Sequence, residues 1–94
     1  MKFWVYLLCC SNGSYYVGHT DDVSRRIEEH NAGKEAEHTR KYRPVQLLYT
    51  EDFPSESEAI RREMQIKRWS AAKKEALISG DIQRLKNLAK RRQA

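Results

Sequence analysis

The chain is poor in the residues that staple or span. Of its 94 residues only two are cysteine, Cys9 and Cys10, and they are adjacent. In an extended segment neighbouring side chains point to opposite faces, so the two are badly placed to bridge each other. With no third cysteine available, a disulfide-built domain is excluded, and a reducing, cytoplasmic setting is expected. No apolar run approaches the roughly 20 residues that a bilayer-spanning helix needs, so no membrane partner is expected. The longest run, Phe3 to Cys10 behind Lys2, is at the short limit for a signal and contains Tyr6. It reads instead as a strand that a small core needs. Repeats, linkers and low-complexity segments are missing too, which leaves one domain's worth of chain. Acid is absent from the last eleven residues.

That last absence explains the charge. Residues 1–83 hold 13 Lys+Arg and 13 Asp+Glu, while Arg84, Lys86, Lys90, Arg91 and Arg92 supply the whole surplus of +5. The acids of the balanced part gather at Asp21-Asp22, Glu28-Glu29, Glu35, Glu37 and Glu51-Asp52. A basic balance suggests a polyanionic partner, but here the excess is a tail property. The apolar fraction of 39% is low yet sufficient for a small folded core.

Periodicity orders the elements. Phe3 to Cys10 is a buried strand, Ser11-Asn12-Gly13-Ser14 is turn chemistry, and Tyr15-Tyr16-Val17-Gly18 is a second strand, together a hairpin. Thr20 or Asp21 can cap a helix through Val23, Ile27 and His30 that stops before Asn31-Ala32-Gly33. A polar stretch from Lys34 to Arg43 precedes Pro44, and Val45 to Tyr49 is a third strand. Ser55-x-x-Glu58 has capping-box spacing and opens a helix to about Trp69. Ser70 caps another, stopped by Gly80, and Asp81 caps a last amphipathic helix with Ile82, Leu85, Leu88 and Ala89 on one stripe. The order ββαβαα plus a C-terminal helix implies a small α/β (α+β) sheet layered with helices.

Three residues break the binary pattern. The inward stripe of the first helix reads Val23, Arg26, Ile27, His30. In the next long helix Ala59, Ile60, Met64 and Ile66 define the apolar side, with Glu63 inside it and Lys67 four residues on. Each has an ordinary explanation: a surface Glu–Lys pair, an Arg laying its stem along the core, a hydrogen-bonded core histidine. Three together on the inner faces of a small domain are harder to dismiss, because each needs a partner to offset its desolvation. Tyr6 and Tyr16 are equally open to a packing role. A two-residue Asn12-Gly13 loop would put them on opposite faces of the hairpin. A three-residue Ser11-Asn12-Gly13 loop, with Gly13 left-handed, pairs Leu8 with Tyr16 and brings both hydroxyls to one face. The three-residue loop is expected.

With Tyr6 inside Val5-Tyr6-Leu7, ten residues before Tyr16-Val17-Gly18, then Arg26 and Glu63, residues 2–78 resemble the GIY-YIG nucleases. The likeness is nearest to the small stand-alone bacterial members and more distant to the N-terminal nuclease domain of the nucleotide-excision-repair excinuclease. Two departures stand out. The first tripeptide lacks a leading glycine, and Ser70-Ala71-Ala72-Lys73-Lys74-Glu75 has no asparagine where many members carry one.

The resemblance implies a three-stranded, mainly antiparallel sheet flanked by helices and a nuclease-like domain over 1–79; the basic C-terminal helix over 80–94 is expected outside it. It implies hydrolysis of DNA phosphodiesters with one Mg2+ or Mn2+, in repair or recombination. Glu63 would be the metal ligand, since Mg2+ accepts one carboxylate and keeps waters. Arg26 offers planar donors to phosphate oxygens and to developing charge. Tyr16 or Tyr6 would hold or deprotonate the attacking water, helped by nearby cations because an unperturbed tyrosine titrates near ~10. His30 and His19 are candidates for proton relay or phosphate contact, and Gly18 admits close approach. Arg40, Lys41, Arg43 and Lys67, with Tyr42 and Trp69 interleaved, suit backbone contact and stacking. No base-reading helix is evident, so preference for DNA structure over sequence is expected. Two other readings stay open: a binding module of this fold without catalysis, and an interaction domain docking through Ile82, Leu85 and Leu88.

Overall fold

A computed structural model describes residues 1–34 and 36–93, the last four through their helical backbone alone. Glu35 and the side chains of Lys90, Arg91 and Arg92, on which part of the charge reading rests, lie outside the described residues. The elements are β1 (Phe3–Cys9), β2 (Tyr15–Thr20), α1 (Val23–Asn31), α2 (Glu37–Lys41), β3 (Gln46–Phe53), α3 (Glu56–Lys67), α4 (Ala71–Ser79) and α5 (Ile82–Gln93). The three strands form one antiparallel sheet in the order β2-β1-β3. The stretch read as a polar connection therefore contains one short helix, α2.

The unbroken apolar run of β1 is explained by its place. It is the central strand and is covered on both faces, so Val5, Tyr6, Leu7 and Leu8 are all buried. On one face Val5, Leu7 and Val17 pack with Ala59, Ile66 and Leu77 of α3 and α4, joined by Leu85 of α5. On the other, Tyr6, Leu8 and Cys10 pack with Val45, Tyr16, Ile27 and Tyr42. Each such aliphatic side chain contributes about 1.5–3 kcal/mol on burial. Cys9 and Cys10 are both free thiols. A register shift between Leu7 and Leu8 leaves Leu48 as the extra residue of β3, a bulge.

Capping follows the local chemistry with one change. Ser55, Ser70 and Asp81 accept the backbone N–H of Glu58, Lys73 and Arg84, and Gly80 ends α4 at φ 73°. The cap of α1 is Asp22, not Thr20 or Asp21. Thr20 is the last residue of β2, and its hydroxyl is taken by the Asp22 N–H at 3.1 Å. A second correction concerns α3. Ala59 and Ile66 face the sheet, but Ile60 and Met64 are 37% and 53% exposed and do not belong to the core side. Arg62, inside this helix, ties it to β3 through both oxygens of Glu51, at 2.9 and 3.0 Å.

Candidate active site

The hairpin loop decides the arrangement. Leu8 pairs with Tyr16 and Tyr6 with Gly18, so the loop is the three-residue one, with Gly13 at φ 85°. Directly opposed residues share a face, and Tyr6 and Tyr16 therefore emerge together on the side covered by α1. The missing Cβ of Gly18 has an internal use: one placed there would stand 2.6 Å from Cζ of Tyr6, whose ring lies across that position.

Above the tyrosines sits His30, the completely buried end of α1. Its Nε2 is 2.9 Å from the Tyr6 hydroxyl and its Nδ1 is 2.7 Å from Oγ1 of Thr39. Hydrogen-bond directions assign the tautomer. The carbonyl of Ala36 can only accept, so the Thr39 hydroxyl donates to it at 3.0 Å. Thr39 oxygen then accepts from Nδ1–H, and with the ring neutral Nε2 is the acceptor for the Tyr6 hydroxyl. Tyr16 stacks edge-on against the same ring, 5.1 Å between centroids. Arg26, one turn earlier on α1, keeps 29% of its side chain exposed and has Nε 3.4 Å from Glu29.

Glu63 comes from the opposite face. His19 follows Gly18 and pairs with Val5, so it points toward α3, where Nδ1 meets Oε1 of Glu63. Lys67 Nζ lies 2.6 Å from the other carboxylate oxygen, and Glu63 is only 12% exposed. His19 Nε2 is also 3.8 Å from Glu56. Tyr16 and His19 are both on β2, an outer strand of the sheet, so the tyrosine side and the glutamate side meet along its free edge.

Glu63 offers one carboxylate to a hard cation. Among the described residues no group of three or more His, Cys, Asp or Glu side chains is arranged to hold a metal. The carboxylate of Glu63 is the hard oxygen donor such a cation accepts, and the His19 imidazole braces that carboxylate. The ammonium of Lys67, on a half-exposed flexible stem, already occupies a cationic position on Oε2.

Arg40 and Lys41 are exposed on α2, the helix that also carries Thr39, and Lys41 lies over the Tyr42 ring at 5.4 Å. Arg43 follows, exposed, with its guanidinium against Gly33 and 3.4 Å from the Asn31 carbonyl. Sequence reasoning had no route to Thr39 or Glu56. Neither violates a pattern, and each acquires a role only through a residue distant in sequence.

Residues 2–76 match the family model described as the GIY-YIG catalytic domain. A UPF0213 protein of Halobacterium salinarum is 58% identical over 74 residues, covering 79% of this chain and 96% of that one. A UPF0213 protein of Halalkalibacterium halodurans is 48% identical over 84% of each chain. Among solved structures, the solution NMR structure of a UPF0213 protein from Bacillus halodurans is similar at TM-score 0.55 and 48% identity, covering 84% of each chain. A protein from E. faecalis is similar at TM-score 0.59 and 35% identity over 85% of each.

Proposed function

This chain belongs to the GIY-YIG catalytic-domain family, and from that premise we propose that it is a metal-dependent endonuclease hydrolysing DNA phosphodiesters, acting in the cytoplasm on repair or recombination intermediates. The observation that carries the reading is a tyrosine pair held by a buried imidazole on one side of β2, with a shielded carboxylate on the other. Tyr16 is half-buried whereas Tyr6 is 2% exposed, so Tyr16 is the hydroxyl that touches the attacking water. Tyr6, His30 and Thr39 are positioning residues that hold the site through one buried hydrogen-bonded chain, in which Nε2 of His30 stands where it can take a proton from the Tyr6 hydroxyl. His30, completely buried, reaches substrate only through the tyrosines. Arg26 binds the phosphate oxygens and meets the charge that builds on them. Glu63 would hold the metal, braced by His19; when bound, the ion polarises the phosphate and stabilises the leaving oxygen. Arg40, Lys41, Arg43 and Lys67 bind the backbone, Gly18 with His19 lies beside the scissile group, and residues 80–94 form a basic extension of the 1–79 domain.

A second reading, a binding module without catalysis, has one observation in its favour. Both oxygens of Glu63 are engaged by His19 and Lys67, which neutralises the carboxylate without a metal. A panel of single-stranded, nicked, flapped and branched DNAs, with and without Mg2+ or Mn2+, separates the two. The nuclease reading expects metal-dependent cutting that Glu63→Ala and Arg26→Ala abolish while circular dichroism stays native. No cutting of any DNA, with binding that weakens steeply in salt, selects the module.

A further inference from the structure

Resting on the nuclease reading, we propose that Lys67 is an exchangeable counter-cation of Glu63. It neutralises the carboxylate in the free protein and passes to a DNA phosphate when substrate arrives, so that the phosphate and a hard cation bind with positive coupling. Glu56, Ile60, Glu63 and Lys67 recur at i, i+4, i+7 and i+11, one stripe along α3. The stripe faces β2, since His19 meets Glu63 through Nδ1 and stands 3.8 Å from Glu56 through Nε2. Lys67 is the last residue of α3, and its ammonium lies 2.6 Å from Oε2 of Glu63.

The pair is lopsided. The carboxylate is 12% exposed and its other oxygen is held by His19, whereas Lys67 is 51% exposed on a flexible stem. Solvent screens the ammonium, so its hold on Oε2 is weak and the cation, not the anion, is the member able to leave. A DNA phosphate is a second strong acceptor for the same N–H donors. Departure alone is costly, because it strands a shielded carboxylate without compensation. That cost disappears when Oε2 takes a hard cation, and Lys67 is then repelled toward the phosphate. Each ligand therefore eases the binding of the other, and linkage makes the effect reciprocal. His19 cannot make this exchange, because its Nδ1 is committed to Oε1 and its ring belongs to β2.

A double-mutant cycle on binding of a short fluorescein-labelled duplex, without divalent metal, tests the exchange. Glu63→Gln removes the charge that retains Lys67 and should tighten binding several-fold. Lys67→Gln should then cost several-fold more in the Glu63→Gln protein than in the parent. There it should also lower the magnitude of the salt slope by about 0.9, one phosphate contact. Glu63→Ala, which leaves no amide oxygen for the ammonium, should reproduce the cycle. On the parent itself, the Lys67 Nζ resonance is followed by NMR through the ε protons. Mg2+ and the duplex together should move it further than their separate effects sum to. An additive cycle, no gain from Glu63→Gln, or NMR shifts that merely sum overturn the exchange and leave an ordinary surface pair. Cleavage is read separately. A non-additive cycle in a protein that cuts no DNA keeps the exchange and loses the nuclease reading; cutting with an additive cycle does the reverse.

Discussion

The Tyr6 hydroxyl and Nε2 of His30 stand 2.9 Å apart, joining the central strand to α1, and Thr39 extends the chain into α2 through Nδ1. All three residues are buried, Tyr6 to 2% and the other two completely. In such surroundings a hydrogen bond is strong when made and costly when lost, so each partner of the imidazole constrains the others.

Thr39→Val, close in shape, removes the acceptor for Nδ1–H. Stability should fall by about 1–3 kcal/mol, the cost of an unsatisfied buried donor, and Thr39→Ser should restore it. Nitrogen NMR of His30 should report loss of the Nδ1–H tautomer. In the cleavage assay kcat should drop with little change in KM, since Thr39 acts through His30 and touches no substrate.

Gly18→Ala places a methyl group within 2.6 Å of Cζ of Tyr6. The ring is buried and hydrogen-bonded, so it cannot swing aside freely. Overpacking of this kind costs about 1–3 kcal/mol, and thermal unfolding should shift down by roughly 4–8 °C per kcal/mol.

The Glu51–Arg62 pair sets an acid limb on stability. Burial alone would raise the Glu51 carboxyl, but hydrogen bonds from Arg62 and Tyr49 with the Arg62 charge outweigh it and hold the group below its ordinary value. A depressed carboxyl stabilises above its unfolded pKa and loses that contribution as pH falls through the folded one. Denaturant midpoints across a pH series should drop on acidification. Glu51→Gln should lose roughly 1.5–3 kcal/mol at neutral pH and flatten this limb. At the other end, burial and the bond to Glu51 push Tyr49 up to about 12. Its contribution is complete below the ordinary tyrosine value and should be lost as pH climbs through that range.

If Glu63 holds the metal as proposed, Lys67 and a divalent ion would compete for its Oε2. Lys67→Gln should therefore tighten Mn2+ binding to the free protein several-fold, measured by calorimetry, while weakening DNA binding. The gain is modest because the ammonium is half exposed and solvent-screened. Unchanged Mn2+ affinity would remove Glu63 Oε2 from the metal site.

The basic tail is best tested through charge alone. Leu85 of α5 packs on the core cluster, so deleting residues 81–94 would remove apolar contacts along with cations. Arg84→Gln with Lys86→Gln, both exposed, should lower the magnitude of the salt slope of DNA binding by roughly 1–2 and leave unfolding unaffected.

What the sequence by itself determined is the set of relationships local to each element. The apolar run of β1, the caps Ser55, Ser70 and Asp81, the left-handed Gly13 and Gly80, and the misplaced Arg26, His30 and Glu63 are all set by spacing within a few residues. The shared face of Tyr6 and Tyr16 was legible only as one of two loop geometries, since a single residue of register reverses it. Tertiary structure decided which side of each element is buried. On α3, spacing grouped Ile60 and Met64 with Ala59 and Ile66, yet the sheet takes only the latter pair. Thr39 lies nine residues from His30 in a polar stretch with no periodicity, and Glu63 lies 44 from His19. Periodicity ranks faces within a helix or strand; it cannot say which partner surface arrives to cover them, and that arrival joined isolated polar residues into hydrogen-bonded clusters.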